Sequence, residues 1–183
     1  MAQANRPPMP PSKPWILRDY VRCAGCRLCE IACTLKHEGR IWPEASMVRV
    51  FMLVPGVEVP HLCAQCSNYP CVNSCQFKAL SVNEQTGAVI VDKEKCTACG
   101  VCIKAYPGTV PHLHPNGKHI VICDLCGGDP ECVKVCTQAG YSCLIKGTRT
   151  SAKSYDLYAK NPEEITANLA VLLYGEKGEE LVK

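Results

Sequence analysis

An α+β fold assembled around cysteine loops is what this 183-residue sequence predicts, and three observations carry that expectation. Fifteen of its sixteen cysteines fall in four tight groups. Runs of β-branched residues separate the groups, and the stretch after each group's third cysteine has room for a short helix. With only two Phe and two Trp, a large apolar core is not expected. Chains of that kind take part of their stability from disulfides or metal.

The elements follow in order. Residues 6–14, "RPPMPPSKP", favour extended polyproline conformation, so 1–20 is expected to be an N-terminal arm. "CAGCRLCEIACTLKHEG" supplies Cys23, Cys26, Cys29 and Cys33, and "MVRVFMLV" (47–54) reads as a strand. "CAQCSNYPCVNSCQ" supplies Cys63, Cys66, Cys71 and Cys75; the hairpin expected over 80–92 turns at Gly87. "CTACGVCIKAYPG" supplies Cys96, Cys99 and Cys102, and where the first group has its fourth cysteine it has Tyr106, just before Pro107. A second hairpin, 112–123, turns at Asn116-Gly117. "CDLCGGDPECVKVCT" supplies Cys123, Cys126, Cys132 and Cys136. Asn161, Pro162 and two acidic residues open a last helix, with Ile165, Leu169, Leu172 and Leu173 on one face up to Gly175. That face packs on its own domain or docks on another subunit.

Cysteines at i, i+3 and i+6 wrap one corner of an iron–sulfur cube, and the fourth, three residues on, reaches a second cluster. Groups one and three keep that spacing; two and four widen the gap before the third cysteine. Zinc needs two separated pairs and no such repetition. The N-terminus has neither an apolar signal core nor a twin arginine, which argues for a reducing, cytoplasmic setting and against disulfides. A folded subunit carried across a membrane by a partner is the exception. No apolar run has transmembrane length. The formal +3 turns negative once thiolates hold clusters of about −2 each, and no Lys/Arg run points to nucleic acid.

These motifs resemble the four-cluster iron–sulfur electron-transfer subunits of molybdenum and tungsten oxidoreductases, over roughly residues 20–145. "CAGCRLCEIACTLKHEG" and "CDLCGGDPECVKVC" look closest to the small subunits of tungsten-containing aldehyde oxidoreductases. The resemblance implies two ferredoxin-like dicluster modules: 21–60 with 107–150, and 61–106, followed by a helical tail over 151–183. It also implies four ligand sets: Cys23, Cys26, Cys29 and Cys136; Cys123, Cys126, Cys132 and Cys33; Cys96, Cys99, Cys102 and Cys75; and Cys63, Cys66 and Cys71, whose fourth place falls on Tyr106. Three [4Fe-4S] clusters are thus expected. The fourth is a [3Fe-4S] cluster, a [4Fe-4S] cluster with a non-cysteine ligand, or absent, Tyr106 then only filling space.

Aligning Cys136 with Cys75 puts Cys143 opposite Val82, an inward strand position, so it is expected to be a buried small residue rather than a ligand. Thr34, Gln76 and Thr137 stand where proline usually follows the cysteine, which changes the surroundings of the sulfurs but not the ligands. His37, His61, His112, His114 and His119 are expected at the surface or just outside the ligands. Neither a G-x-G-x-x-G nor a P-loop pattern is present.

The function that follows is an electron relay, not catalytic alone, serving a large tungsten or molybdenum pterin subunit, with aldehyde oxidation as the reaction. The onward acceptor is a flavin or NAD-reducing subunit or a ferredoxin, and the terminal arms offer self-association. The alternatives are an independent soluble polyferredoxin and a catalytic iron–sulfur protein.

Overall fold

The computed structural model describes residues 13–106, 108, 110–148 and 158–182. The prolines at 7–11, Pro107 and 151–157 of the expected tail lie outside the described residues. Short helices and four two-stranded antiparallel sheets make up the α+β architecture.

The outermost pair joins the two ends of the cysteine region. Strand β1 (Pro14–Arg18) runs against β8 (Leu144–Thr148), Pro14 opposite Thr148 and Arg18 opposite Leu144. Residues 14–18 thus leave the expected arm for the core. Trp15 and Ile16 are buried, and the Trp15 indole N–H donates to the Ala64 carbonyl at 3.1 Å. Pro14 sits at the strand's first position, where its missing N–H is tolerated.

Helix α1 (Leu28–Glu38) packs on α4 (Glu131–Gln138), so the first and fourth cysteine groups meet. Without proline after Cys33, α1 continues: the buried Thr34 hydroxyl donates to the Glu30 carbonyl (3.2 Å) and accepts from Trp42 N–H (3.3 Å). The buried Glu30 carboxylate accepts from Val50 N–H at 2.6 Å and ties α1 to β2 (Arg49–Val54). β2 turns through Gly56 into β3 (Val57–His61).

The middle groups meet likewise through α2 (Pro70–Asn73) and α3 (Val101–Lys104). The expected hairpins are β4 (Leu80–Val82) with β5 (Val89–Val91), and β6 (His112–Leu113) with β7 (Ile120–Val121). Gly87 and Gly117 take the left-handed conformation their turns require.

Helix α5 (Pro162–Tyr174) opens as expected, Asn161 Oδ1 accepting from Glu164 N–H at 2.7 Å. Its buried face corrects the expectation. Ile165 and Ala170 pack with Val54, Val57 and Val59, and Leu169 joins them, whereas Leu172 is 71% exposed and Leu173 is exposed too. Positions 162, 165, 166, 169 and 170 keep helical spacing, and Leu172 lies at the margin of that stripe. Helix α6 (Glu176–Leu181) folds back on α5.

His61, His114 and His119 are buried, not at the surface. His114 stacks on His119 at 4.5 Å, takes the Trp42 ring edge-on at 5.1 Å, and has its Nε2 3.4 Å from Glu38 Oε1.

Candidate iron–sulfur sites

Each C-x-x-C loop carries a left-handed residue just before its second cysteine: Gly25 (φ 65°), Gln65 (56°), Ala98 (55°) and Leu125 (58°). Three of the four are not glycine, so the strain is held by the surrounding fold. A second left-handed residue opens the helix with the third cysteine: Arg27 for α1, Tyr69 for α2, Gly100 for α3. These turns set the three thiols of each loop around a common centre.

The first cavity, about 340 Å³, is lined by Cys23, Cys26, Cys29 and Cys136. A second gathering brings Cys33 beside Cys126 and Cys132, with Cys123 next to Cys132. A third cavity, about 280 Å³, is lined by Cys63, Cys66, Cys71 and Tyr106. The fourth, about 330 Å³, is lined by Cys75, Cys96, Cys99 and Cys102. Thiols of successive gatherings are close enough to perturb one another: Cys29 and Cys132, Cys123 and Cys63, Cys71 and Cys102. The four sites therefore form a row, with the exposed Cys26 and Cys99 in the end sites.

Tyr106 is buried, and its ring lines the third cavity, the smallest of the three. Its hydroxyl is buried within hydrogen-bonding reach of Cys66, and burial, with Cys66 and Cys63 beside it, holds the phenol well above its usual range. Gly108 lies against the ring; a Cβ there would clash with it. The Gly108 carbonyl is 2.6 Å from the buried His61 Nε2. Burial lowers His61 to about 4, so the neutral ring donates this hydrogen bond.

Arg18 was not foreseen as a site residue. It is 5% exposed; Nη2 donates to the Leu62 and Cys63 carbonyls at 2.9 Å each, the guanidinium carbon lies 4.3 Å from the Tyr158 ring centroid, and Tyr20 is within hydrogen-bonding reach. No carboxylate pairs with it among the described residues. A buried guanidinium of this kind calls for an anion. A thiolate-held cluster of net negative charge beside Cys63 and Tyr106 meets that need, and the residues fit such a group. In the sequence, Arg18 is one basic residue in a short strand, and nothing nearby signals its role.

Backbone N–H groups donate to sulfur from Met47 to Cys33 (3.4 Å), Gln65 to Cys63 (3.4 Å), Ala79 to Cys75 (3.3 Å) and Leu144 to Cys136 (3.5 Å). His37 Nε2 is 3.6 Å from Cys126 Sγ and 3.5 Å from Asp124 Oδ1. Burial pushes Cys29 and Cys63 up to about 12 and Cys71 to about 11, so thiolate formation there depends on the charge of iron.

Cys143 is buried as expected, but not opposite Val82. Left-handed Ser142, buried Cys143 and strand-opening Leu144 match left-handed Lys78, buried Ala79 and strand-opening Leu80. Three more residues separate Cys136 from this position than Cys75 from Ala79, because α4 outlasts α2, and this displaced the sequence alignment.

Residues 55–146 match the 4Fe-4S dicluster domain. The chain belongs to this family of iron–sulfur electron-transfer proteins. It is 52% identical over 162 residues to the aliphatic sulfonate oxidoreductase polyferredoxin-like subunit of Pyrococcus furiosus, covering 88% of this chain and 94% of that one. The thiosulfate reductase electron transfer subunit PhsB of Salmonella typhi is 33% identical over 138 residues, 66% of this chain and 70% of that one. A solved chain of the active site complex BamBC of benzoyl coenzyme A reductase overlays with a TM-score of 0.44 at 22% identity, covering 90% of this chain and 92% of that one.

Proposed function

We propose that this chain is the electron-transfer subunit of an oxidoreductase complex, passing single electrons along four iron–sulfur sites between a catalytic subunit and a further acceptor. The row of gatherings carries this reading: neighbours are close enough to interact, and thiols at both end sites reach the surface. The ligand sets are Cys23, Cys26, Cys29 and Cys136; Cys33, Cys123, Cys126 and Cys132; Cys63, Cys66 and Cys71 with Tyr106 at the fourth place; and Cys75, Cys96, Cys99 and Cys102. When bound, such clusters accept and release one electron with little movement of the protein. The chain's own part is spacing, burial and hydrogen bonding to sulfur, with Arg18 holding positive charge at the third site.

Three sites take [4Fe-4S]. The third takes [3Fe-4S], or [4Fe-4S] with a non-cysteine ligand. The catalytic partner is a tungsten or molybdenum pterin subunit; its substrate is an aldehyde, or a sulfonate, the substrate class in the Pyrococcus relative's name. A flavin or NAD-reducing subunit or a ferredoxin receives the electrons, in a cytoplasmic setting. Among the described residues no helix is long and apolar enough to cross a membrane.

Anaerobic purification of the tagged chain from its source tests the relay. Co-isolation of a large pterin subunit that reduces the clusters with its substrate is the expected result, a stable monomer favours a diffusing polyferredoxin, and turnover by the chain alone overturns both. Iron analysis with EPR resolves the third site. A near-isotropic signal in the oxidised state assigns [3Fe-4S], an oxidised state silent at full iron assigns four irons, and Tyr106→Cys is expected to remove any oxidised-state signal and lower that site's potential.

A further inference from the structure

Cys143 stands outside the four sequence groups, yet it is 2% exposed and lines the first cavity with Cys23, Cys26, Cys29 and Cys136. It lies within hydrogen-bonding reach of Cys23 and close enough to Cys136 and Cys29 to sense their charge. The fourth site shows what the position does. Its counterpart Ala79 lines the cavity of Cys75, Cys96, Cys99 and Cys102. Where one module turns a methyl group toward its site, the other turns a thiol.

We propose that Cys143 is a fifth thiol of the first site, which donates its S–H to Cys23 Sγ in the resident state and replaces Cys23 as iron ligand when that thiolate is lost. This rests on the reading of the cavity as an iron–sulfur site. In the exchange the bond from Cys143 Sγ to iron forms as that from Cys23 Sγ breaks. One proton passes from Cys143 to Cys23, and no electron is gained or lost. The placement suits replacement: Cys23 is part-exposed beside the exposed Cys26, where water reaches the departing thiolate, and Cys143 approaches from the buried side.

The test uses the full-length cluster-bearing protein, purified anaerobically as wild type, Cys143→Ala, Cys23→Ala and the double variant, with iron content and EPR-monitored redox titration. Cys23→Ala is expected to keep wild-type iron, whereas the double variant loses one cluster's iron. Cys143→Ala alone is expected to keep its iron and lower the midpoint potential of one cluster, because a hydrogen bond to ligating sulfur is removed. Cys23→Ala losing as much iron as the double variant overturns the inference, and so does Cys143→Ala with every midpoint as in wild type. Where Cys23→Ala fails to accumulate, the Cys143→Ala midpoints decide alone. Wild-type protein without cluster iron overturns the electron-transfer reading as well, whereas intact wild-type clusters with an iron-poor Cys23→Ala overturn this inference only.

Discussion

Arg18 is the residue whose charge has most to act on. A buried unit charge at ~8 Å and an effective dielectric of about 20 is worth roughly 2 kcal/mol, or about 90 mV for one electron. Arg18→Met, which keeps the packing stem, is therefore expected to lower the third site's midpoint potential by that order; an EPR redox titration with that midpoint unchanged would refute it. His61 sets a pH limit. Its folded value, about 4, lies below the ordinary 6.5, so the native state binds fewer protons than the unfolded one between those values. Stability is complete above pH 6.5 and falls as pH drops toward 4, by on the order of 3 kcal/mol. Anaerobic denaturation should show this slope, and His61→Gln should flatten it.

At the scale of elements, the cysteine loops were legible in the sequence because ligand spacing is local, and so were both hairpins, whose turn glycines are local signals too. β1 was not legible: its partner β8 lies more than a hundred residues on, and the prolines before it suggested an arm. The left-handed turns were hidden for another reason. Gln65, Ala98 and Leu125 are not residues that announce positive φ, and tertiary contacts impose it. Ala98→Gly should thus retain its cluster and gain up to about 1 kcal/mol, whereas Ala98→Val should shed iron faster to a chelator. On α5, the exposure of Leu172 and Leu173 separates docking from folding. Serine at both is expected to change stability by no more than about 0.5 kcal/mol while weakening subunit association in size-exclusion chromatography of the complex.

Across the whole molecule, the sites form a path through a core made largely of cysteine and small β-branched residues. The ligand identities came from motif spacing and family resemblance. Their order along the path came from the fold, since it depends on which helices pack together. Tyr106 was visible as an irregularity in the sequence; the space left around it and the cation beside it were not. Cys143 was misplaced because a three-residue difference after α4 leaves no mark in the cysteine spacing.

The closure of β1 on β8, and of the first cavity by Cys136, also sets a timetable for biosynthesis. A ribosome finishes the middle groups, residues 63–106, while the partner of the first group is still untranslated. The third and fourth sites therefore have all their cysteine groups translated before the first and second do, and the thiols made first wait longest for their partners.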